Sequence, residues 1–315
     1  MTHVALLGAG FSRNWGGWLA TEVLGELLGR VIGENETYAK LRRLQNFEDT
    51  LAELQDEART KGTDEAKERS AQFERAVIDT FSDMNEIFAQ FPGWGLSNDA
   101  SDSIDAFLSR FDAIFTLNQD LLLELHYRPE AAGGYAFPGM SAPANWPHLQ
   151  PEEKLSAIWQ PSVEIHVDGE WQPIIKLHGS VNWRDPSGNH LMVMGGAKPE
   201  AIAHDPVLSK YREYFGELLN SGSTKVMVIG YGFNDSHIND SLVRAGVEHG
   251  MQMHIVNPSG LDVVRSSPPG TVQPQNPLEE IPLIGVTSRS LRESFSGDKF
   301  PGGKLSQKSL IRFFE

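Results

Sequence analysis

The sequence predicts an α/β fold: an open parallel sheet flanked by helices, interrupted by a helical insertion. Three observations carry this. First, short apolar runs ending in Gly or Asn recur: "HVALLG" (3–8), "AIFTLN" (113–118), "IIKLHG" (174–179), "KVMVIG" (225–230) and "MHIVNP" (253–258). Runs this short and this uniformly apolar suit strands buried on both faces of a parallel sheet. Second, helical patterns lie between several of them, in "WLATEVLGELLGRVI" (18–32) and in "INDSLVRAGVEHG" (238–250), which ends in glycine. Third, the stretch 33–110 has no strand-like run, and its middle, about 46–91, is charged with helical spacing, as in "FEDTLAELQDEART" and "RAVIDTFSDMNEIF". Strand, helix, strand in this order is a Rossmann-like arrangement, and 33–110 is a helical insertion within one 315-residue domain.

The elements follow in chain order. "VALLGAGFSRNWGG" (4–17) reads as a buried strand, a glycine turn and the start of a helix, which is how a backbone loop is built to hold a phosphate. It is not the dinucleotide fingerprint G-x-G-x-x-G, because the third glycine position is Arg13. The insertion reads either as a lid or oligomer contact, or as an ordinary solvated helical subdomain. Residues 128–151 are rich in Pro, Gly and Trp and predict irregular loop. Residues 158–173 resemble a hairpin with its turn at Asp168–Gly169. A loop with several prolines covers 267–282, and the tail "SLIRFFE" is a short apolar element expected to dock back.

Composition narrows the function classes. The formal net charge is −15 and the pI about 5.1, which disfavours nucleic acid over most of the surface. The chain has no cysteine, which removes disulfides, zinc ribbons and thiol chemistry. No apolar run approaches the ~18 residues of a membrane span, and no basic and apolar leader opens the sequence. A cytoplasmic location without membrane contact is the expectation.

In open α/β sheets ligands bind at the carboxyl ends of the strands. Small or polar residues stand there in all five runs: Gly8-Ala9-Gly10-Phe11-Ser12, Thr116-Leu117-Asn118-Gln119-Asp120, His178-Gly179-Ser180, Gly230-Tyr231-Gly232-Phe233-Asn234-Asp235 and Asn257-Pro258-Ser259. Singly, each has an ordinary reading: a strand-to-helix turn, a helix cap, a structural histidine. Of the other histidines only His237, in "GFNDSHI", shares the placement. A nucleotide lying across the sheet accounts for all five ends at once.

The order G-A-G-x-S, T-x-N-x-D, H-G, G-x-G, V-N resembles the sirtuin-like NAD-binding fold, from Gly8 to about Ser259. "TLNQDLLLE", "GYGFNDSHI" and "NFEDTLAEL" are similar to segments of the sirtuin-like proteins of bacterial antiphage defence. The four-cysteine zinc module of protein-deacylating sirtuins is missing, and Arg13-Asn14-Trp15-Gly16-Gly17 replaces their G-I-P-D-F-R loop. The acyl-lysine groove is therefore not expected.

The resemblance implies an NAD+ hydrolase that cleaves the nicotinamide–ribose bond to give ADP-ribose and nicotinamide, without a metal, depleting NAD in antiphage defence. It gives Asn118 the role of orienting the attacking water and the ribose hydroxyls, and His178 that of general base. Asp120 matches the residue that holds the nicotinamide carboxamide, with Thr116 in the same motif. Gly8, Ala9, Gly10 and Ser12 would cradle the diphosphate, and Gly230, Gly232 and Asn257 would line the adenosine side. A HerA-type ATPase or an Argonaute-like protein is the kind of partner it suggests. The insertion suggests a homo-oligomer whose opening gates the substrate. Three other readings remain: an NAD or ADP-ribose sensor without turnover, an ADP-ribosyl transferase, and a deacylase. A dehydrogenase is disfavoured, since no acidic residue closes a second strand ~20 residues after the loop.

Overall fold

The computed structural model describes residues 1–91, 93–94, 103–127, 135–162, 171–195, 198–265, 276–296 and 303–315. Its centre is a parallel sheet of seven strands in the order β11-β10-β9-β1-β2-β6-β3. The strands are β1 (Thr2–Leu7), β2 (Ala113–Thr116), β3 (Tyr135–Ala136), β6 (Gln172–Lys176), β9 (Thr224–Ile229), β10 (Gln252–Val256) and β11 (Leu283–Thr287). Val4, Ala5, Leu6 and Leu7 of β1 are all fully buried, as are Ala113, Ile114 and Phe115 of β2. Burial on both faces explains why these strands read as continuous apolar runs rather than alternating ones.

β1 is central. The chain adds β2 and β6 on one side of it, then returns to place β9, β10 and β11 on the other. The order therefore reverses between β1 and β9, and the crevice at such a reversal is where ligands bind in this architecture.

Glycine makes that reversal possible. A Cβ on Gly10 would lie 2.7 Å from the Gly230 Cα, and one on Gly230 would lie 2.3 Å from the Gly10 carbonyl carbon. Gly230 also has φ +65°, which side-chain-bearing residues adopt at a cost. The two loops after β1 and β9 touch backbone to backbone, and any larger residue at either place would push them apart.

Between β1 and β2 the described chain is helical: α1 (Ala9–Arg13), α2 (Ala20–Arg30), α3 (Asn35–Leu44), α4 (Phe47–Lys61), α5 (Asp64–Ala89) and α6 (Ile104–Leu108). The caps are in the sequence. The Asn46 side chain accepts from the Glu48 and Asp49 amides to start α4, which ends at Gly62 in the left-handed conformation. Thr63 then caps α5. Buried Leu51 and Leu54 on α4, and Phe73, Val77 and Phe88 on α5, give these charged helices an apolar face for the core.

The middle of the hairpin expected over 158–173 lies outside the described residues, and its two described ends have other partners. β5 (Gln160–Pro161) pairs antiparallel with β4 (Met140–Ser141), while β6 joins the central sheet beside β2. Its expected turn at Asp168–Gly169 lies outside the described residues. The central sheet also has two strands more than the five expected. β11 follows Pro282 and carries Gly285 with exposed Leu283 and Ile284, because it is an edge and lacks the apolar run of a central strand. β3 has only two residues. The tail docks as expected: Phe313 is buried, and Phe314 stacks edge-on against Phe111 at 4.9 Å between ring centroids.

Candidate functional site

The register of the sheet assembles the site. Leu7 lies abreast of Thr116 and of Ile229, Thr116 abreast of Lys176, and Ile229 abreast of Val256. These five residues form one row across the sheet. One or two positions beyond them stand Gly8, Asn118, His178, Gly230 and Asn257, so the five polar strand ends share one rim. Ala9 and Gly232 are exposed there, and Asn118 is half-buried.

A hydrogen-bond network occupies the β1–β2 part of the rim. Asn118 Nδ2 donates to the Gly8 carbonyl at 2.9 Å and to Ser12 Oγ at 3.0 Å. Ser12 Oγ donates to Asp120 Oδ2 at 2.6 Å, and Asp120 Oδ1 accepts from the Leu122 amide at 3.0 Å. Thr116 Oγ1 accepts from the Asn118 amide at 3.0 Å. With both amide protons engaged, Asn118 has its Oδ1 acceptor left to offer a hydroxyl or a water. Burial pushes the Asp120 carboxyl up, against the opposing pull of Lys176 and the Ser12 hydroxyl.

Beneath this network lies an ion pair. Lys176 Nζ donates to Glu124 Oε1 and to the Asp120 carbonyl, both at 2.6 Å. The Lys176 and Glu124 side chains are 2% and 1% exposed. Ser12, Thr116, Asn118, Asp120, Glu124 and Lys176 line one small cavity. The helical segment reaches in here too: Asn85 of α5 accepts from the Leu121 amide at 2.8 Å and so fixes the turn after Asp120.

The glycine loop behaves differently from a bare phosphate cradle. The Gly8 amide donates to the Ile229 carbonyl at 3.0 Å, the Gly10 amide to the Gly230 carbonyl at 2.8 Å, and the Phe11 amide to the Gly8 carbonyl at 2.8 Å. Gly8 and Gly10 thus serve first as spacers at the reversal. The segment 13–17 turns inward: Trp15 is buried against Phe11 and Trp94, and Asn14 accepts from the Arg292 amide at 2.9 Å. On the far side Asn257 Nδ2 donates to the Tyr231 carbonyl at 3.3 Å, which ties the β9 and β10 ends together.

His178 is 2% exposed, and its Nε2 lies 3.1 Å from His237 Nε2. Burial holds His178 well below the usual histidine range, at about 3, and burial lowers His237 as well. Both rings are therefore neutral at pH 7, the state a general base needs. Beside them Asp235 pairs with Lys198 Nζ at 2.8 Å, and Lys198 reaches Glu48 of α4 at 2.7 Å. Burial pushes Asp235 up, but the positive charge of Lys198 beside it opposes this, and the carboxyl is held below its ordinary value.

The depressed His178 pKa has a consequence for stability. Between about 3 and the ordinary value of 6.5 the unfolded chain binds a proton that the folded chain does not. This contribution to stability is full above pH 6.5 and is lost as the pH falls toward 3. Thermal melts from pH 7 to 4 should show a shallower fall in Tm for His178→Gln than for the parent. Parallel slopes would mean that His178 titrates alike in both states.

The two histidines placed at strand ends, His178 and His237, come together with Asp235. Donor atoms of His178, Asp235 and His237 lie within 4.8 Å of one another, a spacing that a divalent cation can bridge. The Lys198 ammonium already sits on the Asp235 carboxylate, so a positive charge is in place and a second would be repelled.

Ser12, Asn118, Asp120 and His178 stand out in the sequence, and the fold brings the first three together through Ser12 and sets His178 on the neighbouring strand end. Lys176, Glu124, Asn85, Lys198, Glu48 and Asp235 join the site only in the fold. Glu124, Glu48 and Asp235 lie inside quoted motifs, where a carboxylate amid apolar residues was the available signal. Asn85 sits in an ordinary amphipathic helix and gave none.

Fold and site together define a Rossmann-like α/β protein with a polar, partly closed rim at its sheet reversal. Residues 112–263, just under half of the chain, match the family model described as the SIR2-like domain, which supports a sirtuin-like family. SIR2-like domains bind NAD, and the match points to an NAD-dependent enzyme. It covers Asn118, Asp120, His178 and the β9–β10 ends, while the loop at 8–12 precedes it. No curated protein matches the chain. No described helix is long and apolar enough to cross a membrane.

Proposed function

We propose that this chain hydrolyses NAD+ at the nicotinamide–ribose bond, releasing nicotinamide and ADP-ribose. The observation that carries the reading is the Ser12–Asn118–Asp120 network set beside His178 on adjacent strand ends. Nicotinamide departs as a neutral ring, so its nitrogen needs no general acid. The developing oxocarbenium ion needs a held ribose, a shielded pocket and one placed water. Asn118 Oδ1 supplies an acceptor for that water or for a ribose hydroxyl. Neutral His178 takes the proton the water gives up. Asp120, fixed by Ser12 and the Leu122 amide, faces the carboxamide. The diphosphate and adenosine lie along Ala9, Ser12, Gly230, Gly232 and Asn257.

The helical segment bears on control. Asn85 of α5 holds the turn after Asp120, and Glu48 of α4 joins the Lys198–Asp235 pair beside the histidines. A movement of these helices would reach both halves of the site. An unregulated NAD+ hydrolase would exhaust its own cell. We therefore read the resting chain as a weakly active cytoplasmic homo-oligomer, opened by a partner such as a HerA-type ATPase or an Argonaute-like protein, with NAD depletion as an antiphage response.

The reaction needs no metal on this reading, since the Asp235 carboxylate of the His178–Asp235–His237 cluster is already paired with Lys198. Nicotinamide release from NAD+ should be the same with and without EDTA, and added zinc should not raise it. An EDTA-sensitive activity restored by one metal would overturn the metal-free reading.

A further inference from the structure

The His178–His237 contact is closed in a way that a free base would not be. Two facing Nε2 atoms at 3.1 Å hold one proton between them, because two protons would clash and none would leave two lone pairs opposed. Whichever ring carries that proton, Nε2 of His178, the nitrogen that the reaction requires, is taken up by His237.

His237 is itself held. It lies in the first turn of α11 (Ser236–His249), next to the β9 loop. Tyr231 Oη accepts from the Asp235 amide at 2.9 Å, and Asn239 Nδ2 donates to the Phe233 carbonyl at 2.8 Å, so the loop is braced internally. From Asp235 the chain of charges runs through Lys198 to Glu48 on α4.

We propose that His237 is an autoinhibitory cap on His178, latched to α4 through Asp235, Lys198 and Glu48, and that a ribose hydroxyl or water of bound NAD+ must displace it before His178 can act. This rests on the NAD+-hydrolase reading above. It gives the helical segment a defined handle on the base: moving Glu48 frees Lys198 and Asp235, and the loop bearing His237 follows. Water bound to the freed Nε2 loses a proton to it as its oxygen bonds the ribose carbon. The C–N bond breaks with its electron pair staying on nicotinamide.

The test uses the full chain. In 15N-histidine-labelled parent protein, an N–H···N coupling between the two imidazoles is expected, and saturating ADP-ribose should abolish it. In kinetics with NAD+, His237→Ser should raise kcat/KM of the chain at least tenfold over the parent, and Lys198→Met should raise it in the same direction. His237→Ser combined with His178→Ala should be inactive. A variant that fails to melt cooperatively is replaced by His237→Asn, whose shorter side chain cannot reach Nε2. Equal or lower kcat/KM in His237 variants that fold overturns the cap, as does a coupling that survives ADP-ribose. If neither parent nor variants release nicotinamide, the hydrolase reading fails. The response of the coupling to ADP-ribose still decides whether His237 caps His178 against this ligand class.

Discussion

Asn118→Ala and His178→Ala should each lower NAD+ cleavage by about 10²–10⁴-fold, the range that a positioned proton acceptor contributes, while the protein stays folded. The two losses have different origins. Asn118 is half-buried and holds Gly8 and Ser12 through its amide protons, so that Oδ1 is presented outward. Alanine removes the acceptor and loosens Ser12, at a cost of about 1–2 kcal/mol of stability. His178 is buried, and alanine removes the base and strips His237 of its partner. Steady-state kinetics and thermal melts on both variants check this. The reduction should fall on kcat more than on KM, because both residues act on the water and ribose rather than on the adenosine side. Robust turnover by either folded variant would take that residue out of the mechanism.

Lys176→Met should destabilise the chain by about 3–5 kcal/mol, as removal of one partner from a buried ion pair does. Glu124 Oε2 has no hydrogen-bond partner among the described residues, and its Oε1 depends on Lys176. Burial already pushes the Glu124 carboxyl up, so without Lys176 it would take up a proton rather than stay charged. The double change Glu124→Leu with Lys176→Met should recover most of the loss, since it leaves no orphaned charge. Urea denaturation of the single and double variants measures this. A single variant within about 0.5 kcal/mol of the parent, the scale of an ordinary surface substitution, would show that the pair does not hold the β2 and β6 ends together.

Much of this architecture is legible in the residues because burial on both faces leaves a strong mark. Val4–Leu7 and Val226–Ile229 can only be central strands, and the polar residues that follow them mark the rim. β11 was not legible: an edge strand carries a glycine and exposed apolar residues, and its pattern is close to that of a loop. Local turn chemistry in 158–173 says nothing about the distant partners of its ends, Gln160–Pro161 on β4 and Gln172–Lys176 on β2. At the site, Asn118 and His178 stood out as polar residues ending apolar runs. Lys176 did not, since one lysine inside "IIKLHG" has no meaning until the fold sets Glu124 2.6 Å away. The His178–His237 contact joins residues 59 apart in sequence, and nothing local announces it.

The products formed when the purified chain, with any partner that activates it, is incubated with NAD+ decide between hydrolysis, transfer and sensing. Nicotinamide and free ADP-ribose are expected in equal amounts, with water as the acceptor and no labelled protein. Nicotinamide without matching free ADP-ribose, with the ADP-ribosyl group instead on a protein or small-molecule acceptor, would make the chain a transferase. Binding of NAD+ with no nicotinamide released under any activating condition would make it a sensor, and would contradict the catalytic roles given to Asn118 and His178.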